Sequence, residues 1–150
     1  MSGYVEIHLD HTFDAGHRIV GHKGKCSRLH GHTYRIEVIA RGPTVDPGFV
    51  VDFGDIKDMI DKWDHRFLLW DKDPILVARK VPLTGFQEDE GRTRVAVAKD
   101  SESGIVRLPF NPTVENMVEH LAIEMFSTYQ LAAIDCQLWE TPKSSARYSV

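Results

Sequence analysis

The segment His30-Gly31-His32-Thr33-Tyr34-Arg35-Ile36-Glu37-Val38-Ile39-Ala40-Arg41 decides the fold. From Tyr34 onward the even positions Tyr34, Ile36, Val38 and Ala40 are aromatic or aliphatic, while Thr33, Arg35, Glu37 and Arg41 are polar. Side chains two apart on a strand share a face, so this alternation predicts a strand with one buried side. The same period carries His30 and His32 toward the core unless a bulge intervenes. Two imidazoles aimed at a core need partners. One metal ion satisfies both, and hydrogen bonds to backbone would serve as well. His17, in Phe13-Asp14-Ala15-Gly16-His17-Arg18, is the third candidate ligand. Three neutral ring nitrogens leave the fourth tetrahedral position open, which is the arrangement of catalytic rather than structural zinc.

Working outward, Val5, Ile7, Leu9 and Phe13 alternate with Glu6, His8, Asp10 and Thr12, a strand that leads to His17. After Gly42-Pro43 and the turn residues Asp46-Pro47-Gly48, Asp52 is suited to cap a helix whose Ile56, Met59, Ile60 and Trp63 form an apolar stripe. A second helix follows Asn111-Pro112, capped by Thr113, and runs to about Gln130 with Val114, Met117, Val118, Leu121, Met125 and Phe126 on one face. Ala133 to Thr141 reads as a last strand. This order predicts an α+β domain spanning 1–150, with two helices packed on one face of a largely antiparallel sheet. Residues 71–109 form an insertion between the helices. Within it, Arg94–Ala98 and Ile105–Leu108 read as a β-hairpin that either extends the sheet or makes a flap over the site.

A chain of 150 residues with 42% hydrophobic and 27% charged residues has the composition of one folded domain. A net charge of −4 with no basic stripe excludes an electrostatic footprint for nucleic acid. No apolar run is long enough to cross a bilayer, and the first residues lack the pattern of a secretory leader, so a cytosolic protein is expected. Two cysteines make no disulfide framework. Cys136, between Ile134 and Leu138, reads as a small core hydrophobe.

Cys26 reads differently. It lies among Arg18, Lys23, Lys25, Arg28 and Arg35, with no acidic residue between Asp14 and Glu37. Such a neighbourhood favours thiolate and would also hold a phosphate-bearing substrate; the alternative is a solvated basic loop. Asp64-His65, just after Trp63, is a candidate proton-transfer pair, although histidine also occurs at helix ends for dipole reasons. Glu140 falls on the inward alternation of the last strand and needs a cationic or hydrogen-bonding partner there.

Phe13-x-Ala15-Gly16-His17-Arg18, Cys26-x-Arg28-Leu29-His30-Gly31-His32, Val51-Asp52-Phe53, Asp64-His65, Asn111-Pro112-Thr113-x-x-Asn116 and Glu140-Thr141 together resemble the motifs of the 6-pyruvoyltetrahydropterin synthase family. That family includes the 6-carboxytetrahydropterin synthases of queuosine biosynthesis. The resemblance implies a tunnelling fold and a homo-oligomer, a hexamer of two stacked trimers with sites at subunit interfaces. It also implies Zn2+ on His17, His30 and His32, Cys26 as catalytic thiol, and Asp64 and His65 as proton-transfer partners, in their own or a neighbouring subunit. Glu140 would anchor the guanidine-like edge of a pterin, with Arg28 and Thr113 as further substrate-binding residues. The implied substrate is 7,8-dihydroneopterin triphosphate. The ending Leu138-Trp139-Glu140-Thr141-Pro142 is more similar to the carboxy-forming branch, which releases acetaldehyde and triphosphate, than to the pyruvoyl-forming one. The chain departs from the family pattern in three places: Gly16 stands where alanine is usual, Trp63 where leucine is usual, and the insertion is long.

Overall fold

The computed structural model describes residues 3–77, 86–89, 92–95 and 104–150. Its strands are β1 (Val5–His17), β2 (His30–Gly42), β3 (Arg66–Trp70), β4 (Phe86–Asp89), β5 (Arg92–Val95), β6 (Ile105–Leu108), β7 (Ala133–Thr141) and β8 (Ser144–Ser149). The helices are α1 (Phe53–Asp61), the short α2 (Pro74–Val77) and α3 (Val114–Tyr129), and a 3-10 turn covers Lys25–Ser27. Contacts divide the chain into two compact units, one formed by residues up to Asp14 with His32–Asp64 and Thr113–Val150, the other by Ala15–Gly31 and His65–Pro112.

The first unit is the one the alternation predicts. Its strands follow the order β1-β2-β7-β8, with β2 antiparallel to β7 and β7 antiparallel to β8. Tyr34, Ile36, Val38 and Ala40 of β2 and Ile134, Cys136 and Leu138 of β7 are all buried. Phe13 stacks on Tyr34 with ring centroids 5.0 Å apart and meets the edge of Trp63 at 6.3 Å. α3 packs on β7 and β8 through Met117, Val118, Leu121, Ala122 and Met125. α1 buries Ile56, Met59 and Ile60, the expected stripe. Both helices start where the caps predict: the Asp52 side chain accepts from Gly54 N–H at 2.7 Å, and Thr113 Oγ1 from Asn116 N–H at 3.2 Å. Burial pushes the Cys136 thiol up to about 12, as its core position requires.

The other side of this sheet is a lattice of charge. Arg35 reaches both oxygens of Asp10 and lies 4.2 Å over the Trp139 ring. Arg147 pairs with Asp135 on the next strands at 2.6–2.7 Å. These hydrogen bonds hold both the Asp10 and Asp135 carboxyls below the usual range.

The second unit differs from the sequence expectation. β3 pairs in parallel with the end of β1 (Ala15↔Arg66 to His17↔Leu68), and β6 pairs in parallel with β3. The sheet as a whole is therefore mixed. Adjacent Leu68 and Leu69 are both fully buried, which shows that β3 is covered on both faces. Such strands read as continuous apolar runs and lose the period of two. The expected hairpin also pairs otherwise: Arg92–Val95 is antiparallel to Phe86–Asp89, whereas Ile105–Leu108 joins β3. The remainder of the expected hairpin, 96–103, lies outside the described residues. Leu69 and Ile105 form a small core with Leu29, Phe67, Ile75 and Leu76. Beside it the fully buried Asp73 accepts from Arg18 Nε at 2.7 Å and from Ile75 N–H at 2.9 Å.

Phe13→Ala should cost about 3–5 kcal/mol in a urea titration, the range for deleting a buried aromatic side chain, whereas exposed Val5→Ala should stay within about 0.5 kcal/mol. A carboxylate with a depressed folded-state pKa adds stability that is fully present above its unfolded value, about 3.9, and is lost as pH falls through the lower folded value. Asp135→Asn should therefore remove part of the acid-side fall in melting temperature and leave the profile above that range unchanged in shape.

Candidate metal centre

β1 delivers His17 by alternation, since Phe13, Ala15 and His17 are buried while Asp14 is exposed. The His17 ring is turned by its Nδ1, which donates to Pro112 O at 2.8 Å. His30 opens β2, and its Nδ1 donates to Arg28 O at 2.7 Å. A carbonyl can only accept, so in both rings the proton sits on Nδ1 and the lone pair on Nε2. The two Nε2 atoms face each other 3.0 Å apart. Two lone pairs at that separation could be bridged by a shared cation, either a metal or a proton. Donation of the second ring N–H to a backbone carbonyl is how coordinating histidines are oriented.

His32 follows two residues later on the same strand, with its ring edge-on to Tyr34 at 5.6 Å and its Nε2 3.5 Å from Glu140 Oε1. His17, His30 and His32 each offer a ring nitrogen within 4.8 Å of the others. Ring nitrogens this close could hold one ion. The donor chemistry fits a borderline divalent ion with an open position.

Gly31 and Gly16 allow this approach. A Cβ on Gly31 would lie 3.3 Å from Ala15 O, and one on Gly16 would lie 2.6 Å from the Phe67 ring.

A second group follows from register. Because Ala15 of β1 pairs with Arg66 of β3, His65 stands level with Asp14, and Asp14, Asp64 and His65 offer atoms within 4.8 Å of one another. Asp64 Oδ1 accepts from the Asp14 N–H at 2.9 Å, and Thr33 Oγ1 donates to Asp14 Oδ1 at 2.5 Å. His65 has φ 56, a left-handed backbone that L residues other than glycine hold only at a cost in strain. Sequence reasoning found Asp64 and His65 but missed Asp14, whose signal was its place on the outward side of the strand that carries His17.

Cys26 lies half-buried in the 3-10 turn and belongs to neither group among the described residues. Its carbonyl accepts from Ile19 N–H at 2.8 Å. Arg28 is exposed, Glu140 is half-buried beside His32, and the Thr113 hydroxyl is engaged as the α3 cap. Also unforeseen was the partner of Asn111, whose carboxamide accepts from Val20 N–H at 3.0 Å and donates to Val20 O at 2.8 Å.

The sequence pattern described as 6-pyruvoyl tetrahydropterin synthase matches residues 6–150. The chain is 38% identical over 142 residues to the 6-carboxy-5,6,7,8-tetrahydropterin synthase of Rickettsia bellii, covering 87% of this chain and 89% of that one. It is 30% identical over 152 residues to the protein of the same name from Haemophilus influenzae, covering 95% and 97%. Among solved structures, an uncharacterised protein of Wolinella succinogenes superposes with TM-score 0.67 at 25% identity over 98% of each chain. The 6-pyruvoyl tetrahydropterin synthase of Plasmodium vivax does so with TM-score 0.62 at 19% identity over 99% and 98%, a likeness of fold.

His17→Ala and His30→Ala should each lower the divalent metal bound per chain by roughly tenfold or more at fixed free metal, read by elemental analysis. Retention at unchanged stoichiometry would remove the ring pair from coordination.

Proposed function

The chain belongs to the 6-pyruvoyl tetrahydropterin synthase family, and from that premise we propose that it is a zinc-dependent lyase converting 7,8-dihydroneopterin triphosphate and water into 6-carboxytetrahydropterin, acetaldehyde and triphosphate. The observation that carries the reading is the His17–His30 pair: two rings locked by carbonyls into the Nδ1–H tautomer with their lone pairs converging. The choice of the carboxy-forming reaction over the pyruvoyl-forming one is supported by the names of the relatives that match most of the chain.

In this reading His17, His30 and His32 hold Zn2+. The bound ion would act as a Lewis acid that polarises substrate side-chain oxygen and makes the neighbouring C–H acidic. Cys26, half-buried in the 3-10 turn, removes that proton. His65, grouped with Asp14 and with Asp64, whose carboxylate accepts from Asp14 N–H, returns a proton to the adjacent carbon. Glu140 binds the guanidine-like edge of the pterin through paired hydrogen bonds to a carboxylate. Arg28, exposed beside the cysteine turn, neutralises phosphate. Thr113, at the start of α3, offers its N-terminal dipole to the substrate.

Alternation places the exposed Asp14 side chain on the opposite side of β1 from buried His17. This supports assembly as a homo-oligomer, a hexamer in the proposal, in which Asp64 and His65 serve a neighbouring subunit's site. Exposed Val45, Phe49 and Phe53 supply apolar surface for such assembly. Among the described residues no helix is long and apolar enough to cross a membrane, in keeping with a proposed place in the cytoplasm.

The test is incubation of metal-quantified protein with dihydroneopterin triphosphate and mass-resolved product analysis. The expected products are the carboxy-pterin and acetaldehyde; a pyruvoyl product would move the chain to the other branch. Cys26→Ala should lower kcat by about 10²–10⁴, the usual worth of a positioned acid or base, with bound zinc unchanged. Undiminished turnover would end the assignment of Cys26.

A further inference from the structure

We propose that Asn111 is a positioning residue whose carboxamide holds the Cys26 loop in register with the His17–His30 pair. The inference deepens the proposed function and rests on it for the role of the thiol.

Three consecutive residues after His17 are each tied down by a different partner. Arg18 Nε donates to buried Asp73 at 2.7 Å, Ile19 N–H donates to Cys26 O at 2.8 Å, and Val20 exchanges two hydrogen bonds with the Asn111 side chain at 2.8 and 3.0 Å. The amide thus satisfies both backbone groups of Val20, as a neighbouring strand would, at a point that belongs to no strand among the described residues. Pro112, the next residue, supplies the carbonyl that turns His17. One dipeptide therefore fixes both the ring of the first histidine and the start of the loop that returns to Cys26. A shift of Val20 is passed directly to Cys26 through the Ile19 bond. Asn suits this place because it presents one donor and one acceptor from a single planar group; an aspartate would set a carboxylate oxygen against the Val20 carbonyl.

Iodoacetamide reads the consequence. Cys136 is fully buried and Cys26 is not, so the rate of single carbamidomethylation of metal-loaded protein, followed by mass spectrometry, reports the Cys26 loop. In Asn111→Asp the rate should change by roughly fivefold or more, the scale of one lost backbone hydrogen bond. Metal content and the cooperative melting transition should persist, and kcat should fall with KM little altered. A rate within twofold of the starting protein overturns the proposal. If Asn111→Asp fails to retain metal or to melt cooperatively, Asn111→Ser, which introduces no charge, is judged by the same criterion. The thiol measurement needs no turnover, so a protein without lyase activity would overturn the proposed function while the alkylation rates still decide the role of Asn111.

Discussion

The hydrogen bond from His17 Nδ1 to Pro112 O is the constraint on which the site depends, because it joins residues 95 apart and sets a proton inside the molecule. A buried imidazole left without it would lose roughly 1–3 kcal/mol to an unsatisfied donor. More important for chemistry, it chooses the tautomer. With Nδ1 committed, Nε2 has only a lone pair to offer, and His30, committed in the same way to Arg28 O, offers another. Neither ring can donate to the other while both are neutral. The pair is therefore suited to a shared cation, in keeping with the proposed metal centre.

Strand pairing decides where those donors stand. In the first unit, antiparallel strands keep one side apolar under α3 and leave the other to ion pairs such as Arg35–Asp10 and Arg147–Asp135. In the second, parallel β3 buries adjacent Leu68 and Leu69 on its two faces, and β6 buries Ile105 and Leu108, while Arg66 and Arg107 stay exposed. Chemistry-bearing residues gather instead where strands begin and end. His17 closes β1, His30 opens β2, and Asp64 and His65 immediately precede β3.

What the sequence discloses follows from these same rules. Tyr34-Ile36-Val38-Ala40 has the period of a sheet with one wet face, so β2, its buried side and the direction of His30 and His32 are legible. The caps Asp52 and Thr113 and the helix stripes are local signals and are equally legible. Phe67-Leu68-Leu69-Trp70 has no such period because both its faces are covered, and its parallel partners lie far off in sequence, 51 residues before it in β1 and 38 after it in β6. β8 is polar and largely exposed, so its only signature is its partner β7. Asn111 is legible only as part of the Asn111-Pro112-Thr113 motif; that its carboxamide meets both backbone groups of Val20 is not, because a residue's partner in space leaves no mark on its own neighbours in sequence.

The departure at Gly16 shows how the two kinds of information meet. The family pattern has alanine there, yet a Cβ on Gly16 would come within 2.7 Å of two atoms of the Phe67 ring. Phe67 lies against Leu69 and Ile105, so its ring cannot swing away without opening that small core. Glycine at 16 and phenylalanine at 67 are therefore one choice rather than two, made across the parallel pair β1–β3. The cost of glycine in a strand, roughly 0.5–1 kcal/mol of backbone entropy relative to alanine, is offset by burial of an aromatic ring directly beside His17. The ring then lies over the strand end that presents the histidine, so what looks in sequence like a relaxed motif is a tighter packing of the same site.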